Sequence, residues 1–242
     1  MTQALPVETA DNFEYIHRPL TQARREKFLQ VVSRVRGGRV LDLGCGYTGH
    51  YWAMAYLNRA TSISLYDAVE ENIAQQLQTI EQLTPEYIET YLGETVQFLK
   101  ANKLLPTDWD NARIASSLIQ MMEEVSVFDF SKDEPTQTFD CVLALESIEI
   151  AASREELLRS CATTRALLQK GGQLVGLALP YETLLPSTLE AVALRREGLL
   201  NPNMTEFSSA LSANGFEITH LHEYETGTPN YPRGIAFEAL AV

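Results

Sequence analysis

An apolar strand that opens directly into a glycine turn constrains this chain more than any other feature. Residues 39–54, "RVLDLGCGYTGHYWAM", place Gly44, Gly46 and Gly49 in one loop straight after "RVLDL". "GCGYTG" satisfies G-x-G-x-x-G, a spacing that lets the backbone approach a ligand where a strand gives way to a helix. Such a loop belongs at the carboxyl edge of a parallel sheet, so strands and helices should alternate through the rest of the chain.

The patterning meets that demand. Strands are expected at 39–43, 62–67, 125–130, 139–145, 173–179, about 216–224 and 234–242. Helices are expected at 20–35, 48–57, 69–83 and 154–169, with another in "TEFSSALSANG". Residues 84–124 form a long polar insert of two helices, the first starting with Thr84 as N-cap and Pro85 at the first helical position. The last two strands are joined by about ten turn-like residues, "ETGTPNYPR". A parallel crossover needs a dozen or more, usually a helix, so this pair should be antiparallel. The expected architecture is α/β: a single Rossmann-like, doubly wound sheet of about seven strands. It is mostly parallel with an antiparallel C-terminal strand, and helices lie on both faces.

The net charge of −13 argues against nucleic acid or an anionic membrane as partner, because phosphate binding needs clustered Lys and Arg. It is compatible with a cationic small molecule, and also with a merely solvated acidic surface. Cys45, Cys141 and Cys161 lie far apart with no CxxC, which suits a reduced, cytoplasmic compartment and gives no zinc pattern. The first residues lack a basic stretch followed by an apolar run, so no signal peptide is expected. No apolar run approaches the ~18 residues of a membrane span. His220 and His222 share a strand face but have no third ligand, and no metal is expected.

Acids at strand ends narrow the ligand. Asp67, 21 residues beyond Gly46, closes the second strand, where a carboxylate binds ribose hydroxyls or simply caps the next helix. Asp42 stands two residues before the first glycine. A negative charge there is unwelcome beside a pyrophosphate but tolerable beside an ammonium group. Asp129 ends the third strand in "VFDF" and could accept a hydrogen bond from an adenine amino group. A sulfonium amino-acid nucleoside therefore fits better than a nicotinamide dinucleotide.

Together "VLDLGCG", "SLYD", "VFDF", "FDCVLALE", "LLQKGGQLV" and "ANGFEI" resemble a class I S-adenosylmethionine-dependent methyltransferase over about residues 38–242. Within that class the chain is similar to the nicotinamide/phenylethanolamine/thioether N- and S-methyltransferase family. That family carries a helical insert between the ribose and adenine acids, as 84–124 would be here. It also carries a tyrosine-bearing N-terminal helical lid, matched by residues 1–37 with "FEYIHRPLTQARREKF". The resemblance implies S-adenosylmethionine as donor and S-adenosylhomocysteine as product. Gly44 and Gly46 would line the methionine end, and Tyr47, Thr48 and Gly49 the following turn. Asp67 would bind the ribose, Asn72 would match a further cofactor contact of the family, Phe128 and Asp129 would hold the adenine, Leu145 the sulfonium region, and Tyr15 the methionine carboxylate.

The resemblance also places acceptor acids after the fourth and fifth strands, at Glu149 and Glu182. The nicotinamide branch has an aspartate where this chain has Ala178, so the pattern leans toward a flexible aliphatic amine. Carboxylates anchor an ammonium by charge-assisted hydrogen bonds and accept the proton lost on methylation. Tyr181, Asn230 and Tyr231 are expected to wall the acceptor pocket, since aromatic faces suit a cation. Glu149 could equally be the first-turn acid of the following helix, and Glu182 a solvated loop residue. The segment 183–203 departs from the family, which has a short hairpin there.

The expectation is an N-methyltransferase for a small cationic amine, active as monomer or homodimer. Oxygen or sulfur acceptors stay open, as does a non-catalytic binding protein of the same fold. A nicotinamide-dependent reductase would need a parallel last strand and a Tyr-x-x-x-Lys pair, which the sequence lacks.

Overall fold

In the computed structural model, residues 22–46, 48–178, 202–228 and 231–242 are described. The first strand, β1 (Gly38–Leu43), is buried on both faces from Val40 onward, Asp42 included. Val40 turns toward one core and Leu41 and Leu43 toward the other. The remaining strands are β2 (Ala60–Asp67), β3 (Met122–Val127), β4 (Phe139–Leu145), β5 (Leu168–Ala178), β6 (Phe216–Thr228) and β7 (Tyr231–Ala241). They form one sheet in the order β3-β2-β1-β4-β5-β7-β6. β1 to β5 pair in parallel, while β7 runs antiparallel to both of its neighbours. The order reverses between β2-β1 and β1-β4, so a crevice opens beyond the carboxyl ends of β1 and β4.

Helices cover both faces. On one lie α1 (Gln22–Val32), α2 (Gly49–Ala53), α3 (Glu70–Glu81), α4 (Pro85–Ala101) and α5 (Asn111–Met121). On the other lie α6 (Arg154–Ala166) and α7 (Met204–Ala213). α1 is built into the core: Phe28, Leu29, Val31 and Val32 are buried, and the Phe28 ring lies 5.2 Å from that of Trp52. α4 begins as expected, with the Thr84 hydroxyl accepting from Tyr87 N–H at 3.1 Å. Its buried residues Ile88, Leu92, Thr95, Val96 and Leu99 recur at helical spacing and face inward. Thr95 meets the Tyr51 hydroxyl at 2.6 Å, so the insert clamps the helix that follows the glycine loop.

Several boundaries differ from expectation. β3 starts at Met122 and stops at Val127, so Phe128 and Asp129 lie beyond its end. "QMMEE" is rich in helix formers, but pairing with Ile63 and Ser64 of β2 overrides that preference. α2 is only five residues long, and the chain then passes through turns to β2. β5 begins at Leu168 and takes in Gly171 and Gly172, with a register shift opposite Phe139 and Cys141. Between β6 and β7 the expected ten-residue turn is far shorter. Both strands extend to the pair Thr228 and Tyr231. Among the described residues no helix is long and apolar enough to cross a membrane.

Candidate functional site

The glycine turn uses its three glycines in three ways. Gly44 has φ +74°, and a Cβ there would sit 2.4 Å from that of Ser147, so Gly44 lets β1 and the β4 turn touch. The Ser147 hydroxyl completes that contact by donating to the Leu43 carbonyl at 2.8 Å. Gly46 has φ +53°, and a Cβ there would meet nothing within 4 Å among the described residues. This is the open face of the turn. Gly49 sits inside α2, where a Cβ would press on Cys45 at 2.9 Å and Leu65 at 3.0 Å, so it is a packing glycine.

Two acids lie beneath the turn. Asp67 is buried at the end of β2; its Oδ2 accepts from Gly46 N–H at 2.8 Å. Its Oδ1 accepts from Val69 N–H at 2.8 Å and Asn72 Nδ2 at 3.1 Å. It therefore ties the glycine loop to the start of α3, whose N-cap is Val69, and Asn72 is brought to it. Asp42 is fully buried, and among the described residues neither carboxylate oxygen has a hydrogen-bond partner. Burial, and then the nearby charge of Asp67, push its carboxyl up to about 8. The buried Tyr56 hydroxyl is likewise without a partner among the described residues. It is held well above its usual range by burial and then by Asp42.

Phe128 and Asp129 occupy the turn after β3. The Phe128 ring lies 5.3 Å from Tyr66, tilted by 33°. Asp129 accepts from Ser131 N–H at 3.0 Å, from the Ser131 hydroxyl at 2.6 Å, and from Lys132 Nζ. Partial burial works against its charge, but the hydrogen bonds from Lys132 and Ser131 win and hold it below the usual carboxylate range. Leu145 ends β4, and Glu146 follows in the left-handed region at φ +56°. Three residues on, Glu149 is 1% exposed while its neighbour Ile150 is 38% exposed.

The structure thus brings Asp42, Gly44, Gly46, Thr48, Gly49, Asp67, Asn72, Phe128, Asp129, Leu145 and Glu149 to the carboxyl edge around β1 and β4. Tyr231 starts β7 at the same edge, four residues beyond the Ile235–Ala178 pair. Tyr15, Tyr47, Tyr181, Glu182 and Asn230 lie outside the described residues. Cys45 packs under the turn, its thiol pushed well above the usual range by burial and then by Asp42 and Asp67. The His220 and His222 rings meet at 4.5 Å, and among the described residues no group of three or more His, Cys, Asp or Glu could hold a metal.

Sequence reasoning missed Gln76 and its contact with His50. Both residues are buried, with His50 Nδ1 at 3.0 Å from Gln76 Oε1 and Gln76 Nε2 donating to the Gly46 carbonyl at 3.1 Å.

No protein-family model matches the chain, and no curated protein matches its sequence. Solved structures match its fold. The N-methyltransferase NodS from Bradyrhizobium japonicum WM9, with S-adenosyl-L-homocysteine, aligns over 97% of this chain and 94% of its own at TM-score 0.63 and 11% identity. Magnesium protoporphyrin IX methyltransferase (ChlM) from Synechocystis PCC 6803, with the same product bound, aligns over 94% and 87% at TM-score 0.56 and 14% identity. The [4+2]-cyclase SpnF aligns over 92% and 83% at TM-score 0.58 and 14% identity. The fold is that of class I S-adenosylmethionine-dependent methyltransferases. At these identities the likeness is one of architecture, and one neighbour is named for another reaction.

Proposed function

We propose that this chain is an S-adenosylmethionine-dependent methyltransferase acting on the nitrogen of a small, positively charged amine. The observation that carries the donor assignment is Asp42. A fully buried acid without a hydrogen-bond partner among the described residues is costly unless a cation completes it. A second acid, Asp67, lies close enough to raise it further. The open face at Gly46 gives a ligand backbone-close access to the same turn. An α-ammonium suits such a place; a pyrophosphate does not.

The residues fit the donor. Gly44, Gly46, Tyr47, Thr48 and Gly49 would hold its amino-acid end over Asp42, with Tyr15 on the carboxylate. A carboxylate has about four lone-pair sites, and Asp67 already fills three of them internally. One ribose hydroxyl can join without loss; a grip on both requires an internal donor to yield. Asp129 is similarly three-quarters occupied, and Lys132, with its side chain 74% exposed, is the partner most easily released to an adenine amino group. Phe128 would flank the base and Leu145 the sulfonium region. When bound, the donor supplies an electrophilic methyl group. The protein's part is to position a neutral lone pair beside it and keep water out.

Glu149 anchors the acceptor. It is buried while adjacent Ile150 is exposed, an inversion that hydrophobic packing alone would not choose. Its carboxylate would hold the amine by charge-assisted hydrogen bonding and receive its proton, with Glu182, Tyr181, Asn230 and Tyr231 completing the pocket. The first neighbour is named an N-methyltransferase, which agrees with a nitrogen acceptor. Because α1 belongs to the core, a lid would be formed by residues ahead of Gln22.

The test is thermal unfolding with S-adenosylhomocysteine or NAD. A ligand at 100 times its dissociation constant stabilises by ~2.7 kcal/mol, roughly 5–10 °C for a chain of this size. A shift with the homocysteine compound alone supports the reading. A shift with NAD alone overturns it.

A further inference from the structure

The glycine turn is gripped at both ends of a single residue. Gly46 donates its N–H to Asp67 on β2, and its carbonyl accepts from Gln76 on α3 and, more weakly, from the adjacent Cys45 thiol at 3.3 Å. Gly46 has a positive φ and no contact at its open face among the described residues, so its two backbone polar groups are what fix its orientation. Because a carbonyl can only accept, the Gln76 amide nitrogen must face Gly46. Gln76 Oε1 therefore faces His50, whose Nδ1 must carry the proton that it donates at 3.0 Å. The missing side chain at Gly49 leaves room for the amide, since a Cβ there would lie 3.3 Å from Gln76 Nε2. Gln76 itself is completely buried, where an unmade hydrogen bond is expensive.

We propose that Gln76 is a positioning residue for the donor-binding turn and that His50 sets the orientation of its amide. The relay runs His50 Nδ1–H to Gln76 Oε1, then Gln76 Nε2–H to the Gly46 carbonyl. It fixes the peptide that presents the open face to the donor. Neither side chain needs to touch the donor for this role. The assignment of what the turn binds rests on the proposed function; the clamp on the turn does not.

The test compares Gln76→Met, Gln76→Glu, His50→Phe and the double variant His50→Phe/Gln76→Met with the unaltered chain. Two quantities are read well below each variant's unfolding temperature: amide hydrogen exchange of residues 44–49, and the dissociation constant for S-adenosylhomocysteine. Gln76→Met should speed exchange across the turn while leaving β1 and β2 protected, and weaken binding roughly tenfold, as expected for one buried hydrogen bond lost. His50→Phe should do the same to a smaller degree. The double variant should be no worse than Gln76→Met alone, because both changes break one relay. Gln76→Glu keeps the shape, but only its protonated form has a donor for Gly46. Its affinity, as a ratio to the unaltered chain at equal pH, should therefore recover as pH falls, whereas that of Gln76→Met should not. Unchanged turn exchange in Gln76→Met, or fully additive effects in the double variant, overturns the relay. If the unaltered chain takes up no S-adenosylhomocysteine, the donor reading falls, and the exchange comparison still decides the clamp.

Discussion

Asp42→Asn isolates a buried acid whose ionisation the fold disfavours. The Asp42 carboxyl moves from an ordinary 3.8 to about 8 on folding, so the native state prefers the protonated form. For an acid whose pKa is raised, stability is fully present below the unfolded value and is lost as pH rises toward the folded one. The loss runs at 1.36 kcal/mol per pH unit inside that window. From about pH 5 to about pH 8, it amounts to roughly 3–4 kcal/mol. Asparagine keeps the shape without titrating. The stability gap between Asp42→Asn and the unaltered chain should therefore shift by that amount in favour of the variant, about 7–15 °C in Tm. Taking the gap cancels every other titration, which both proteins share. The assay is thermal or denaturant unfolding of the two proteins across this range. The same variant should lose affinity for S-adenosylhomocysteine. The unaltered chain should bind it roughly 50-fold better at about pH 8 than at about pH 6, because binding selects the ionised carboxylate. Parallel stability curves for the two proteins would refute both the burial argument and its link to the donor.

Three further outcomes follow from local geometry. Gly44→Ala meets left-handed backbone strain and the Ser147 Cβ at 2.4 Å together, whereas Gly46→Ala meets the strain alone. Urea unfolding should show a loss of roughly 2–5 kcal/mol for the first and about 1 kcal/mol for the second. Lys103 occupies the left-handed position after α4 at φ +59°, with Leu104 N–H bonded to Leu99 O at 2.8 Å and Lys103 N–H to Lys100 O at 3.1 Å. Lys103→Gly should stabilise by about 1 kcal/mol, seen as a Tm rise of roughly 2–4 °C. Glu149→Gln should lower kcat/KM for a cationic amine acceptor roughly 10–100-fold at saturating donor, with S-adenosylhomocysteine affinity unchanged; kinetics matching the unaltered chain remove Glu149 from the acceptor site.

Much of the sheet was legible because β1, β4 and β5 are buried on both faces and announce themselves as apolar runs. The antiparallel last strand followed from loop length, although that loop proved shorter than expected. β3 was placed three residues late because Met122, Glu123 and Glu124 have no strand preference of their own and take their conformation from β2. The acids at strand ends were legible by spacing. Their internal partners were not. Nothing in "VFDFSKD" says that Asp129 will bind Ser131 and Lys132, since such bonds depend on the turn the chain adopts.

Gln76 shows what defeats a pattern argument and what the defeat means. Ile73, Gln76, Leu77 and Ile80 sit at i, i+3, i+4 and i+7 on one helix face, so periodicity leaves Gln76 and Leu77 as rivals for the core and hydrophobicity favours Leu77. The fold does the reverse: Gln76 is fully buried and Leu77 is 46% exposed. The same inversion separates buried Glu149 from exposed Ile150, and Asp42 is buried between Leu41 and Leu43 in β1. Each inversion costs the fold free energy that an apolar residue would have spared. Gln76 bonds the glycine turn after β1, Asp42 lies two residues before that turn, and Glu149 lies just past the end of β4, the two strands that flank the crevice. The meeting of these three at one edge supports the proposed binding site there.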